Sequence, residues 1–141
     1  MSIIPIEALR IMDERFGCDS LISLATCVEG VPYVRTVNAY YEGGAFYVIT
    51  YALSGKMRQI AENPVVAISG EWFTAHGKAE SLGHILAPEN FDMADKLRCV
   101  FAEWNDNGHT NESDPNTIIL KIRLTDAVLF SHGTRYDMDF E

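Results

Sequence analysis

The stretch SLISLATCVEGVPYVRTVNAYYEGGAFYVITY, residues 20–51, decides the fold class of this chain. Apolar and polar residues alternate along it with a period close to two, and short segments containing glycine interrupt the alternation at 29–30 and 42–44. This pattern predicts three β-strands joined by tight turns, at 20–28, 31–41 and 45–51. Because strands joined by tight turns pair antiparallel, the stretch predicts an antiparallel meander.

Three flanking segments predict helices. Residues 6–16 predict an amphipathic helix lying across a sheet, since helical spacing brings together Ile6, Leu9, Met12, Asp13 and Phe16. Residues 55–62 predict a short helix that ends at Asn63 and Pro64, because proline cannot continue it. Residues 88–104 predict a longer helix whose core-facing stripe comprises Phe91, Ala94, Leu97, Phe101 and Trp104.

The remaining segments predict further strands. Residues 65–73 and 74–83 form a strand pair in which Gly70 marks a bulge or a close backbone approach. A polar loop at 106–116 precedes a long final strand at 117–131. About six antiparallel strands, without strand–helix–strand alternation, favour a mainly β fold: a small closed or nearly closed barrel with flanking helices. The length of 141 residues predicts one domain over 1–141.

The overall charge excludes some partners. The formal net charge is -9, from 20 acidic and 11 basic residues, so we expect neither nucleic acid nor an anionic membrane surface as a partner. No apolar run approaches the roughly 18 residues of a membrane-spanning helix, and the first ten residues lack the pattern of a secretory signal. We therefore expect a cytoplasmic protein with reduced thiols at Cys18, Cys27 and Cys99.

The histidines do not predict a metal site. The spacing of His76, His84, His109 and His132 matches no metal-binding motif, so we expect no metal ion. The acidic loop residues Asp106, Glu112 and Asp114 are typical of solvated loop charges.

The stretch ITYALSGKMRQIAENP, residues 49–64, contains an unusual helix start. Ser54 is placed to cap the helix, which makes Gly55 its first residue and Lys56 its second. A cation at this end opposes the helix dipole, unless an anion binds there. A phosphate would bring together the free N–H groups, the Ser54 hydroxyl, Lys56 and Thr50.

The strand 31–41 also carries an unusual cation. Arg35 shares one face with Tyr33 and Val37, and Thr36 lies on the other, so both faces mix apolar and polar side chains. Two interpretations stay open for Arg35. It points outward into solvent, or it points inward and is matched to an anion or a carbonyl group.

Together these segments resemble the pyridoxamine 5′-phosphate oxidase-like family of FMN-binding split barrels. The resemblance rests on P-Y-V-R-T-V (32–37), F-Y-V-I-T-Y-x-x-S-x-K (46–56) and Q-I-x-x-N-P-x-V-A-I (59–68), and it extends from about Leu21 to Arg135. It implies an FMN-binding split barrel that works as a homodimer, with the flavin at the interface.

The resemblance also implies the cofactor-binding residues. Arg35, Ser54, Gly55 and Lys56 match the region of the phosphate, and Thr50 matches a hydroxyl near the ribityl arm. Further flavin contacts are implied at Thr36, Val37, Ile49 and Trp72, although packing in a dimer interface is the preferred role of Trp72. Phe130 and Arg135 resemble residues that reach the flavin or substrate from the partner subunit. Beside them, His132 is the candidate for a substrate-facing acid.

Two departures argue against vitamin oxidation. True pyridoxamine phosphate oxidases carry a basic residue at the position of Gly55, and a Trp-Gln pair begins their longer C-terminal motif. Here the motif is F-S-H-G-T-R (130–135), followed by the acidic YDMDF. The resemblance therefore implies another FMN-dependent oxidoreductase, which reduces a small electron-poor molecule.

The electron donor and the turnover itself stay open at this point. A reduced nicotinamide, NAD(P)H, would bind transiently, because no glycine-rich dinucleotide motif is present. The alternatives are a flavin-binding stress or sensor protein without turnover, and a split barrel that holds deazaflavin or haem.

Overall fold

A computed structural model of the chain describes residues 4–104 and 110–141, with only the backbone of Trp104. The strands are β1 Ser20–Val28, β2 Val31–Glu42, β3 Ala45–Tyr51, β4 Val65–Gly70, β5 Phe73–His84, β6 Thr117–Ser131 and β7 Thr134–Asp139. The helices are α1 Ile6–Phe16, α2 Gly55–Glu62 and α3 Phe91–Val100, with a 3₁₀ turn at Pro88–Asn90 and a helical turn at Ala102–Trp104. Residues 106–109 of the predicted loop, including His109, lie outside the described part.

Six strands close into a barrel, which confirms the predicted mainly β architecture. The order in the sheet is β3-β2-β1-β4-β5-β6-β7, and β3 also pairs with β6. Ala45–Tyr51 run antiparallel to Thr117–Arg123, and β7 pairs with the other half of β6. The sequence did not predict β7, because TRYDMD offers only two hydrophobic positions among charged residues.

The first helix packs against the barrel, and its inward face agrees with the predicted one only in part, at Met12 and Phe16. Phe16 packs against Phe46 and Phe73, at ring-centroid distances of 5.6 and 5.1 Å. Ile6 is 85% exposed and Leu9 is also exposed, whereas the buried residues of α1 are Ala8, Ile11, Met12 and Phe16. The inward face includes the buried Ala8 and Ile11, which the apolar spacing did not include, because packing against the sheet sets the rotation of the helix.

The β4–β5 turn confirms one part of the prediction at Gly70 and corrects another. An added Cβ at Gly70 would lie 3.1 Å from Cε1 of Phe16, so the expected close approach is real. The strand boundary was predicted three residues too late, because β4 ends at Gly70 and Glu71 and Trp72 form the turn. Trp72 adopts φ 53°, a conformation that a tryptophan does not signal in a sequence.

The predicted helix 88–104 is interrupted. It comprises the 3₁₀ turn, α3 and the helical turn, and it packs over the outside of β3 and β6 in a second core with Ile85, Ala94, Leu97, Phe101 and Ile119. Phe91 is 69% exposed, which contradicts its predicted place on the stripe. Phe91 is the first residue of α3 and lies about 60° around the helix axis from Ala94 and about 120° from Leu97, so it falls outside the core-facing stripe.

Candidate functional site

The barrel is split between β2 and β3. These strands pair only where Tyr40–Glu42 meet Ala45–Tyr47. Beyond that point β2 continues to pair with β1, and β3 with β6, so their facing edges have no ladder partner among the described strands. Thr36, Val37 and Ile49 lie along these open edges, where free backbone N–H and C=O groups are able to bind a polar ligand.

Helix α2 begins at the open end of the split. Ser54 Oγ accepts a hydrogen bond from the Met57 backbone N–H at 3.4 Å, which confirms the predicted cap. An ideal Cβ at Gly55 would have no atom within 4 Å, so the space in front of the first turn is open. Lys56 Nζ donates a hydrogen bond to Thr50 Oγ1, which brings the end of β3 against the helix start.

Arg35 points inward, which decides between the two interpretations. It pairs in register with Leu24 and donates hydrogen bonds to Leu24 O at 3.2 Å and Thr26 Oγ1 at 3.0 Å. A third bond, to Gln59 Oε1 at 2.8 Å, ties it to α2. Thr26 is only 1% exposed and also donates to Gln59 Oε1, at 2.6 Å. These contacts leave the guanidinium matched to neutral oxygens.

Sequence reasoning missed Thr26 and Gln59 as members of this site. Thr26 is a polar position on the apolar face of β1, and Gln59 lies one turn after Gly55 on α2. Those features were visible in the sequence, but the register that brings them to Arg35 was not.

The two cations at this place carry an electrostatic cost. Burial lowers the pKa of Arg35, and burial together with the positive charge of Arg35 lowers the pKa of Lys56. Within residues 4–104 and 110–141, neither side chain forms a hydrogen bond or ion pair with a carboxylate. The arrangement therefore suits an anionic ligand, which would stabilise both charged forms.

A second group of predicted residues lies in a separate cleft of about 400 Å³. Its lining comprises Arg15, Trp72, Phe130, Ser131, His132 and Gly133. Arg15 donates to Glu71 O at 2.9 Å and to Phe130 O at 3.2 Å, and so joins the β4–β5 and β6–β7 turns. The sequence did not single out Arg15, which appears there only as a basic residue in the last turn of α1.

Arg135 stands apart from that cleft. It lies on β7 opposite Phe130 and forms an exposed ion pair with Asp137 at 2.9 Å. Its guanidinium therefore already has a carboxylate partner, whereas no carboxylate in the described part of the chain pairs with Arg35 or Arg15.

Within one chain, the two groups lie at opposite ends of β6. Thr50, at the split, pairs with Ile118, and Phe130 follows twelve residues later along the same strand. At about 3.3 Å per residue this is roughly 40 Å of strand. Trp72, Phe130 and His132 line a cleft that includes neither Lys56 nor its partner Thr50 of the same chain.

Two other histidines, His76 and His84, have structural partners. His76 Nδ1 lies 2.9 Å from an Asp126 oxygen on the barrel surface, and His84 Nε2 lies 2.8 Å from the Glu112 backbone oxygen. In the described part of the chain, no three His, Cys, Asp or Glu side chains are grouped to hold a metal ion. None of the described helices has the length and hydrophobicity needed to cross a membrane.

A barrel split between two strands, with a cationic helix start at the split, defines the class of split-barrel proteins. The family model described as pyridoxamine 5′-phosphate oxidase matches residues 12–129, so the chain belongs to this family. Because Gly55 and the motif at 130–135 depart from the true oxidases, it is a member of the wider, oxidase-like group. A search of curated proteins by sequence found no match.

Solved structures share the fold. An FAD-binding protein from Mesorhizobium loti has a TM-score of 0.67 at 15% identity, over 90% of this chain and 94% of that one. An F420 reductase has a TM-score of 0.63 at 19% identity, over 82% and 94%. A heme-binding protein from Mycobacterium smegmatis has a TM-score of 0.68 at 18% identity, over 97% of this chain and 59% of that one. At these identities the likeness is one of fold.

Proposed function

We propose that the chain binds FMN along the split, with the phosphate at the start of α2. The observation that carries the proposal is the pair Arg35 and Lys56, two cations whose pKa values are lowered by burial and which have no described carboxylate partner. A phosphate dianion would compensate both charges and would also accept from the free N–H groups of the first helical turn. Membership of the family over residues 12–129 supports a flavin as the ligand.

The open strand edges support the position of the flavin ring. The pyrimidine edge of a flavin carries both hydrogen-bond donors and acceptors, and unpaired backbone groups next to Thr36, Val37 and Ile49 offer both kinds of partner. Thr50 and Ser54 offer hydroxyl groups between the ring and the phosphate, and Gly55 leaves room for a close approach.

We further propose that the working form is a homodimer. Small side chains on the outside of β1, β4 and β5 surround a shallow cleft of about 360 Å³, among them Ser23, Ala25, Ala67 and Ser69. Val34, which also lines the cleft, is 71% exposed, and the small side chains around it permit close approach of a second barrel. A second copy would also bring Trp72, Phe130 and His132 to a flavin that they do not reach in their own chain.

The activity we propose is reduction of a small electron-poor molecule with electrons from NAD(P)H. Bound FMN supplies the hydride and electron transfer, while the chain binds, orients and shields it. In the dimer, Trp72 and Phe130 of the partner copy would exclude water from the ring, and the His132 imidazole would hold a proton near the substrate. The cytoplasmic location stays a prediction from the sequence.

The spectrum of the purified protein tests this proposal. We expect flavin absorbance bands and release of FMN on denaturation. Bleaching by NADH or NADPH, followed by reoxidation by a nitro compound or a quinone, would support an enzyme; binding without bleaching by either donor would favour the flavin carrier instead. A Soret band would indicate that the cofactor is haem and not FMN. Selective binding of F420, a deazaflavin, would indicate that the cofactor is F420. A colourless protein that does not bind added FMN would refute the proposal.

A further inference from the structure

A third cleft adjoins the proposed phosphate site. It has a volume of about 280 Å³ and lies between one face of α2 and the end of the β1–β2 hairpin, lined by Val28, Tyr33, Gly55, Arg58, Gln59 and Glu62. The four α2 residues follow each other at intervals of three, one and three, which places them on a single helix face. The FMN-binding residues of the family resemblance include only Gly55 from this set.

The cleft is continuous with the phosphate site through Gly55 and Gln59. Gly55 is the first residue of α2 and lines the cleft, so a phosphate bound at the helix start would lie at the mouth of the cleft. Gln59, whose side chain receives hydrogen bonds from Arg35 and Thr26, forms the wall between the two. A ligand that continues beyond the phosphate would therefore enter this cleft.

Three side chains of the lining form no hydrogen bond or ion pair with described residues: those of Tyr33, Arg58 and Glu62. Arg58 is exposed, and its guanidinium forms no hydrogen bond or ion pair with the part of the chain that the structure describes. Glu62, one turn later, is not paired with it. Tyr33 presents an aromatic ring that is 44% exposed.

This set fits an adenylate group. A second phosphate would receive charge-assisted hydrogen bonds from Arg58. The ribose hydroxyls would donate to the Glu62 carboxylate, as they do to acidic residues in other nucleotide sites. The adenine would stack on Tyr33. A ligand that ended in several carboxylates would fit less well. Its negative charges would lie against the Glu62 carboxylate, and it would have no ring to stack on Tyr33.

We propose that this cleft binds the AMP half of FAD, so that the chain accepts the dinucleotide as well as FMN. The inference rests on the proposed function, because it starts from a flavin phosphate at the helix start. It adds Tyr33, Arg58 and Glu62 as the residues that distinguish FAD from FMN.

The test compares the dissociation constants of riboflavin, FMN and FAD by isothermal titration calorimetry, on the flavin-free full chain. For the wild type we expect FMN to bind more tightly than riboflavin, and FAD at least as tightly as FMN. Arg58→Gln should raise the dissociation constant of FAD about tenfold or more while changing that of FMN less than about twofold. Tyr33→Leu should raise that of FAD about fivefold or more, again without a comparable effect on FMN.

Arg123→Gln is the matched control, since Arg123 is exposed and does not line the cleft. It removes the same charge and should leave both flavins unaffected. Equal weakening of FMN and FAD by Arg58→Gln, or FAD binding weaker than FMN in the wild type, would overturn the inference and leave the FMN site standing. Failure of the wild type to bind any of the three flavins would overturn the proposed function and the inference together.

Discussion

Arg35 and Lys56 lie close enough for the charge of one to lower the pKa of the other. The larger contribution to the lowered pKa of Lys56 is burial, and the positive charge of Arg35 adds to it. Arg35 is itself held by Leu24 O, Thr26 and Gln59, so it cannot turn away without losing three hydrogen bonds. The fold thus maintains two neighbouring cations at a cost that a bound anion would offset.

Replacing Lys56 should affect ligand binding and protein stability differently. We expect Lys56→Met to weaken FMN binding by about 1.5–3 kcal/mol, because a charge-assisted hydrogen bond to the phosphate is lost. The free energy of unfolding of the flavin-free protein should not fall, since the substitution also removes a partly buried, unpaired charge. Fluorescence titration with FMN and urea unfolding measure the two quantities.

Lys78→Met is the control for that experiment. Lys78 is exposed and has no ion pair with a described residue, so its loss should change neither quantity appreciably. Unchanged FMN affinity in Lys56→Met would show that Lys56 is an ordinary surface lysine.

The stability of the flavin-free protein should depend on Lys56 at alkaline pH. Because the folded pKa of Lys56 is lowered from 10.5, the unfolded chain binds more protons between the two values, and the free energy of unfolding rises with pH in that interval. Urea unfolding at several pH values below about 10 should give a steeper rise for the wild type than for Lys56→Met. If the free energy of unfolding rose equally steeply with pH in the two proteins, this would contradict a lowered pKa of Lys56.

The pH range of this measurement ends near 10, because a buried tyrosine has the opposite effect on stability at higher pH. Burial raises the pKa of Tyr41 from 10.0, so above that pH the folded state retains a proton that the unfolded state loses. Stability then falls as the pH rises further, which opposes the contribution of Lys56.

Gly77 is a position where any side chain should destabilise the barrel. An added Cβ would lie 2.8 Å from Arg123 O and 2.9 Å from Cγ2 of Ile122, at the β-bulge between His76 and Gly77. We expect Gly77→Ala to lower the free energy of unfolding by about 1–3 kcal/mol, as in other overpacked cores.

Gly55→Ala is the matched comparison, because its Cβ would meet no atom within 4 Å. Alanine in a helix costs less backbone entropy than glycine, so this variant should be as stable as the wild type or more stable by up to about 1 kcal/mol. Thermal unfolding followed by circular dichroism compares the two. Equal stabilities of the two variants would contradict the described packing at Gly77.

The dimer proposal predicts an effect of charge on the outer face of β1. Ala25→Arg would place two unpaired charges, one from each copy, in the proposed interface and should weaken dimerisation by more than about 2 kcal/mol. Light scattering coupled to size-exclusion chromatography measures the molar mass of the variant. We expect the amount of bound flavin to decrease as the fraction of dimer decreases. Ala61→Arg, on the exposed side of α2, should leave the mass unchanged. A wild-type protein that is monomeric at all concentrations tested would refute the dimer.

Local patterns in the sequence determined most of the elements. The period of two over 20–51 and the proline after α2 predicted three strands and a helix end within about one residue of their observed positions. The pattern was weaker where charged residues alternate, as in β7, and where backbone geometry is unusual, as at Trp72. Periodicity gave the inward face of α1 only in part: Met12 and Phe16 are buried as predicted, but Ile6 and Leu9 are exposed, because a nearly helical spacing leaves the rotation of the helix open until a sheet packs against it.

For the candidate site, the sequence by itself determined the residue types and the family resemblance: a cation at a helix start, an arginine in a strand whose two faces mix apolar and polar side chains, and a capping serine. The tertiary structure alone decided that Arg35 points inward, that Thr26 and Gln59 hold it, and that Trp72 and Phe130 lie at the far end of β6. The physical reason is that hydrogen bonds and charge interactions act over a few ångströms, whereas Thr26 and Gln59 are far apart in the chain. Only the register of paired strands and the closure of the barrel bring such residues within that distance.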